Sequence, residues 1–198
     1  MDEGDRNRDK FTRLLDVATI RRASKWSGRE LLGRALWEVA YPFFSWSPRP
    51  FFWGWRRFLL RLFGAKIGRA VHVHPSVKIA VPWNLTIHDD VGIGDGAILY
   101  SLGPITIGSG ATVSQFAHLC AGTHDYRRAD MPLEKPPISI GEGAWICADA
   151  YVGPGVTVGN YAIVGARAVV VRDVASQTIV VGNPARKVGM RQFTQREE

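Results

Sequence analysis

A chain of 198 residues, 46 % hydrophobic and 22 % charged with 21 glycines, is long enough for one domain with a real core and is not disordered. Its net charge of +7 is uneven: residues 1–66 hold fourteen Lys and Arg against seven Asp and Glu, whereas residues 67–198 hold eleven of each. Two cysteines, Cys120 and Cys147, make no disulfide framework and suit a reducing cytoplasmic setting; the charged start MDEGDRNRDK is no cleavable signal peptide; and the charge-free run Val39 to Pro48 is shorter than the roughly 20 apolar residues that span a bilayer.

Residues 1–28 are polar and mixed in charge, with a short helix expected over Arg6 to Arg22. From Arg29 the spacing of Leu31, Leu32, Ala35, Leu36, Val39 and Ala40 is helical, and Pro42 is expected to end that helix. The stretch YPFFSWSPRPFFWGWRRFLLRLFG then interleaves Trp46, Trp53 and Trp55 with Arg49, Arg56, Arg57 and Arg61. Two uses of residues 29–66 stay open: a cover over the end of the structure that follows, or a segment resting on a membrane surface, where aromatic and basic side chains are both at home. No nucleic-acid-binding motif is present.

At Ile67 a period of six begins, with blocks IGRAVH, VHPSVK and IAVPWN; Ile87, Ile93, Leu99, Ile105, Val113 and Leu119 carry it on. From Ile140 it reads IGEGAW, ICADAY, VGPGVT, VGNYAI, VGARAV and VVRDVA. A helix needs apolar residues every three or four places and a plain strand every two, so neither fits. Period six is the pattern of a parallel β-helix. Three six-residue sides make a coil of eighteen, which stacks Ile140 under Val158, Ile146 under Val164 and Val152 under Val170. The glycines Gly141, Gly153, Gly159 and Gly165 fall where a Cβ would crowd the backbone. Residues 67–174 give about five such coils, a column roughly 25 Å tall.

The pattern stops after Thr123. His124 to Pro137, HDYRRADMPLEKPP, fits no hexapeptide and reads as a loop thrown out from the column, where binding and catalytic groups tend to sit. Residues 175–198 leave the column through the turn Gly182-Asn183-Pro184 and are expected to form a C-terminal cap and tail.

These blocks resemble the left-handed β-helix acyltransferases of the hexapeptide-repeat family. Asn84-Leu85-Thr86, Asp89-Asp90, Thr123-His124, Trp145 and Gly182-Asn183-Pro184-Ala185-Arg186 are similar to the sugar O-acetyltransferases. Trp55 to Gly68, WRRFLLRLFGAKIG, is similar to the colanic acid biosynthesis acetyltransferases, which modify exopolysaccharide precursors. The resemblance implies an all-β fold, acetyl-CoA as acyl donor, no metal, a homotrimer, and a cytoplasmic enzyme that could sit at the inner face of the membrane.

By the same resemblance His124 is the general base that takes a proton from an acceptor hydroxyl, a task for which an imidazole is suited. No acyl-enzyme is expected, since the chain lacks a G-x-S-x-G elbow. Asp90, Asn84 and Tyr126 match the acceptor side. Trp145, Ala148, Ala166 and Arg167 match the donor groove, with the Ala148 N–H as oxyanion donor, and Arg172, Arg186 and Lys187 are candidates for the nucleotide phosphates. Pro82 stands where galactoside-type relatives carry an acceptor-binding Asn, so their acceptor does not transfer. The resemblance implies a small-molecule or lipid-linked sugar acceptor. Two other classes compete: a β-helix enzyme of the carbonic anhydrase or metal-dependent hydrolase kind, tempting because of His118 and His124, and a non-catalytic membrane-associated scaffold. A spacing of six between those histidines, where metal-binding relatives use five, argues against the metal enzyme.

Overall fold

From Lys66 onwards the chain lays down short strands on three sides in turn, in a computed structural model that describes residues 26–47 and 52–193. The helix expected over Arg6 to Arg22 lies outside the described residues. Side A stacks β1 (Lys66–Ile67), β4 (Leu85–Ile87), β7 (Ile105–Ile107), β12 (Ile138–Ile140) and β15 (Thr157–Val158). Side B stacks β2 (His72–Val73), β5 (Gly92–Ile93), β8 (Thr112–Val113), β13 (Trp145–Ile146), β16 (Ile163–Val164) and β18 (Thr178–Val181). Side C stacks β3 (Lys78–Ile79), β6 (Ile98–Tyr100), β9 (His118–Cys120), β14 (Tyr151–Val152) and β17 (Val169–Val170).

All these pairings are parallel, and Ile140, Ile146 and Val152 do lie under Val158, Val164 and Val170. The result is a three-sided parallel β-helix of about six turns. It is a partial turn longer than the repeat suggests, because Val174 bridges to Val158 and β18 continues side B beyond the last clear hexapeptide. The block-opening aliphatics are buried, and Ala144, Ala150, Ala162 and Ala168 fill the space between them. A Cβ on Gly141 would lie 2.5 Å from the backbone nitrogen of Asn160 in the next coil, so that place admits glycine alone.

Before the column come two helices, α1 (Gly28–Ser45) and α2 (Trp53–Leu62). Ser27 and Glu30 close α1 with a reciprocal capping box. Pro42 does not end it, contrary to expectation: the helix runs to Ser45, and the Trp46 N–H donates to the Pro42 carbonyl at 2.8 Å. Proline forfeits its own N–H bond and its ring crowds the carbonyl four residues back; the extra turn offsets this by carrying Phe44, fully buried, against Trp37 and Tyr41. The buried stripe of α1 is Trp37, Tyr41 and Phe44, and the Trp37 indole donates to the Ile79 carbonyl at 2.8 Å.

Helix α2 is turned the unusual way round. Its arginines face the column: Arg56, fully buried, donates from Nε to the Val73 carbonyl at 2.6 Å and from Nη1 to Ser47. Arg57 donates to the Val71 carbonyl and Arg61 to those of Ile67 and Gly68. These carbonyls belong to the first coil, whose lower edge has no strand to pair with, so guanidinium groups satisfy it instead. Trp55, Phe58 and Leu62 face outward. At the other end β19 (Arg186–Met190) turns back antiparallel on β18.

Candidate active site

The column breaks once, after side C of the third coil. There β10 (Thr123–His124) pairs antiparallel with β11 (Leu133–Glu134), Thr123 opposite Glu134 and His124 opposite Leu133. This hairpin lifts His124 out of the column and leaves it exposed. Its Nδ1 lies 2.6 Å from the Met131 carbonyl oxygen. A carbonyl only accepts, so Nδ1 donates, and in the neutral ring this puts the proton on Nδ1 and the lone pair on Nε2. That is the tautomer a base needs, with the free nitrogen pointing away from the backbone that holds the ring. Thr123, Asp125, Tyr126, Arg127 and Glu134 surround it in a shallow cavity of about 330 Å³.

The remaining candidates lie at the corners and sides that the strand order dictates. His124 and Tyr126 stand at the corner between sides C and A, and Tyr126 is exposed beside Arg127. Asn84 is at the same corner, low in the column, where its amide Nδ2 donates to the Ser101 and Leu102 carbonyls and ties two coils together. Asp90 is at the A–B corner with φ 60°, a left-handed turn position that Asp tolerates, and it is exposed. The fold of one chain therefore sets Asp90 a full side away from His124.

Ala148, Ala166 and Arg167 occupy a third place, the B–C corner, on adjacent coils, with the Arg167 N–H donating to the Ala148 carbonyl at 2.9 Å. The Ala148 N–H makes no backbone hydrogen bond among the described residues. Trp145, on side B, is held by its indole N–H on the Ser114 hydroxyl at 2.9 Å. Arg172, Arg186 and Lys187 come together around one cavity of about 410 Å³ at the C-terminal end of side C, floored by Val170, Val174 and Ala185.

Side C separates the base corner from the donor corner, and its outer face is the apolar one. Ile98, Tyr100, Cys120, Tyr151, Val169 and Val171 point outward there, whereas side A presents Thr86, Thr106, Ser139 and Thr157. His118 is wedged between the rings of Tyr100 and Tyr151 and half-buried, with Nε2 buried and without a hydrogen-bond partner among the described residues. Burial lowers its pKa. Tyr151 is pushed up to about 12 by burial and by its bond to Cys120. Among the described residues no three His, Cys, Asp or Glu side chains gather closely enough to hold a metal ion.

Several supporting contacts are absent from the sequence reading: the Met131 carbonyl, the Ser114 hydroxyl, and Lys135 at the foot of the loop. Lys135 lies 4.0 Å from Glu30 and 3.7 Å from the Trp26 ring, tying the loop to the start of α1. Only the Ser27–Glu30 pair had a readable signal, the S-x-x-E box.

A three-sided parallel β-helix built on a hexapeptide repeat places the chain in one class, and the chain belongs to the hexapeptide-repeat acetyltransferases. Residues 137–172 match the family model "Bacterial transferase hexapeptide (six repeats)". The chain is 46 % identical over 149 residues, 75 % of its length and 81 % of the relative's, to the protein named "Putative colanic acid biosynthesis acetyltransferase WcaF" of Escherichia coli (strain K12). It is similar, at TM-score 0.78 and 25 % identity over 86 % of this chain and 93 % of the other, to the acetyltransferase VCA0836 of Vibrio cholerae solved with acetyl coenzyme A. Galactoside acetyltransferase in complex with coenzyme A shares the fold, at TM-score 0.71, 21 % identity and 84 % coverage of both chains.

Proposed function

We propose that this enzyme moves an acetyl group from acetyl-CoA to a hydroxyl of a sugar or exopolysaccharide precursor, as a homotrimer in the cytoplasm that touches the inner membrane face through residues 29–66. The observation that carries the chemistry is the Nδ1 bond of His124 to the Met131 carbonyl, which leaves Nε2 as a base on an exposed loop. His124 Nε2 takes the acceptor hydroxyl proton as that oxygen attacks the thioester carbon. The Ala148 N–H steadies the oxyanion. Collapse forms the ester and breaks the C–S bond, and His124 returns its proton to the departing thiolate, so no acyl-enzyme intervenes.

His124 and Ala148 stand at opposite edges of side C, which supports a site shared between two copies of the chain. Turning three apolar C faces toward a threefold axis sets the C–A corner of one copy against the B–C corner of the next. Trp145, Ala166 and Arg167 then line the donor groove, and Arg172, Arg186 and Lys187 offer cations to the nucleotide phosphates. Tyr126 is the acceptor-side residue nearest the base. Asp90 and Asn84 reach an acceptor only if it extends along side A.

The test is thiol release from acetyl-CoA against a panel of free sugars, nucleotide sugars and lipid-linked sugars. His124→Ala is expected to lower turnover about a thousandfold with the melting temperature unchanged. Near-normal turnover in that variant would remove the assignment.

A further inference from the structure

The B–C corner is a ladder of left-handed turns. Gly96, Phe116, Asp149 and Arg167 stand one above another there, with φ of 65°, 59°, 58° and 59°. Backbone bonds fix the stacking: the Phe116 N–H donates to the Asp95 carbonyl at 2.9 Å, the Asp149 N–H to that of Gln115 at 3.1 Å and the Arg167 N–H to that of Ala148 at 2.9 Å. Glycine is at ease in such a place and aspartate tolerates it. A bulky aromatic is strained there.

That strain is not offset by burial. Phe116 is 57 % exposed, and its ring lies over Gly96, where a Cβ would come within 2.5 Å of it. The A–B corner offers a comparison. Tyr161, with φ 60°, lies over Gly143 in the same manner, but its hydroxyl donates to Glu142 at 2.8 Å and Phe193 meets its ring edge-on at 5.9 Å. Phe116 has no such anchor, and the ring face turned away from Gly96 is left to solvent. An aromatic ring held in a strained backbone position and left exposed points to a ligand rather than to packing.

Its height in the column selects the ligand. The donor groove ascends from Ala148 through Ala166 and Arg167 toward the cavity of Arg172, Arg186 and Lys187. With the thioester carbonyl at Ala148 and the rest of the donor above it, the acceptor is left the coil below, that of Gln115 and Phe116. The adjoining strip of side B is low at this level: a Cβ on Gly92 would meet open space, Thr112 is its neighbour one coil up, and Trp145 stands above Thr112. A flat ring beside a shallow seat suits a flat, partly apolar guest. One face of a pyranose is such a guest, because its axial C–H bonds present positive hydrogens to the negative face of an aromatic ring. We propose that Phe116 is a specificity residue of the acceptor site: the pyranose ring stacks on it while a hydroxyl of that sugar meets His124 of the partner subunit. This rests on the acetyltransferase reading and on a cleft shared between copies.

The test measures KM for every sugar of the panel above that the full chain acetylates, the free sugars entered as methyl pyranosides, each beside its open-chain alditol. Phe116→Gly, which also relieves the backbone, should raise KM for the pyranose acceptors at least about fivefold and erase the preference for a pyranoside over its alditol. KM for acetyl-CoA, the melting temperature and the oligomeric mass should not move. Phe116→Tyr restores a ring and should keep the parental values. The platform is overturned by an unchanged acceptor KM in Phe116→Gly, by a raised KM for acetyl-CoA in its place, which would put the ring on the donor side, or by a changed oligomeric mass, which would make it a contact between copies. Each of these, with acetyl transfer intact, leaves the acetyltransferase reading standing. Acetyl transfer to no sugar of the panel would sink that reading and the platform with it.

Discussion

At His124 the sequence shows a histidine where a repeat breaks off, and the resemblance to the sugar O-acetyltransferases singled it out. The Met131 carbonyl that fixes its tautomer was not legible, because it depends on the register of a hairpin whose turn carries no fixed-length signature. Ser114 was hidden for a similar reason, lying 31 residues from Trp145 yet on the neighbouring coil. Ser114→Ala should free the indole and raise KM for acetyl-CoA about threefold with kcat little changed, as fits loss of one exposed hydrogen bond; initial rates at varied acetyl-CoA check this. His118 offers a test by pH. Burial depresses its folded pKa below the ordinary imidazole value of 6.5, so the folded state prefers the neutral ring. The stability this provides is present above the unfolded value and is lost as pH falls through 6.5 toward the folded one. The melting temperature should drop across that window in the parent, and less in His118→Leu, which also removes a nitrogen buried without a partner.

Among elements, the strands were the most legible, because a period of six sustained over many blocks admits one architecture. The helices were half legible. The Leu and Val spacing of α1 revealed a helix, but α1 bears two apolar stripes and periodicity cannot say which one the column takes. Pro42 misled because the pull of a buried Phe44 is a tertiary effect. Both open readings of residues 29–66 bear on α2: its inner face covers the first coil, and its outer face leaves the second use available. Arg56→Ala would strip the Val73 carbonyl and Ser47 of their donor in a buried site and should cost about 2–4 kcal/mol. Trp46→Ser, on the opposite stripe, should change stability by less than about 0.5 kcal/mol. Calorimetry on the two variants separates a face that holds the fold from one that does not.

For the molecule as a whole, the sequence and its resemblance named candidate residues without indicating that they occupy three different corners. That allocation requires counting sides across the excursion, where the period is interrupted. If sites form between copies, equal mixing of His124→Ala with Ala148→Pro chains should restore about a quarter of parental activity, since a cleft is whole only when the right corner comes from each kind; a site within one chain would stay dead. Refolding the two inactive variants together and assaying thiol release decides it. The Lys135 tether has an evolutionary corollary. Solenoids commonly gain or lose whole repeats, but an extra turn inserted beneath the excursion would raise Lys135 by about 4.8 Å and part it from Glu30 and Trp26. Length can therefore vary freely only above the excursion, and lineages that keep this bridge should keep the same number of rungs below it.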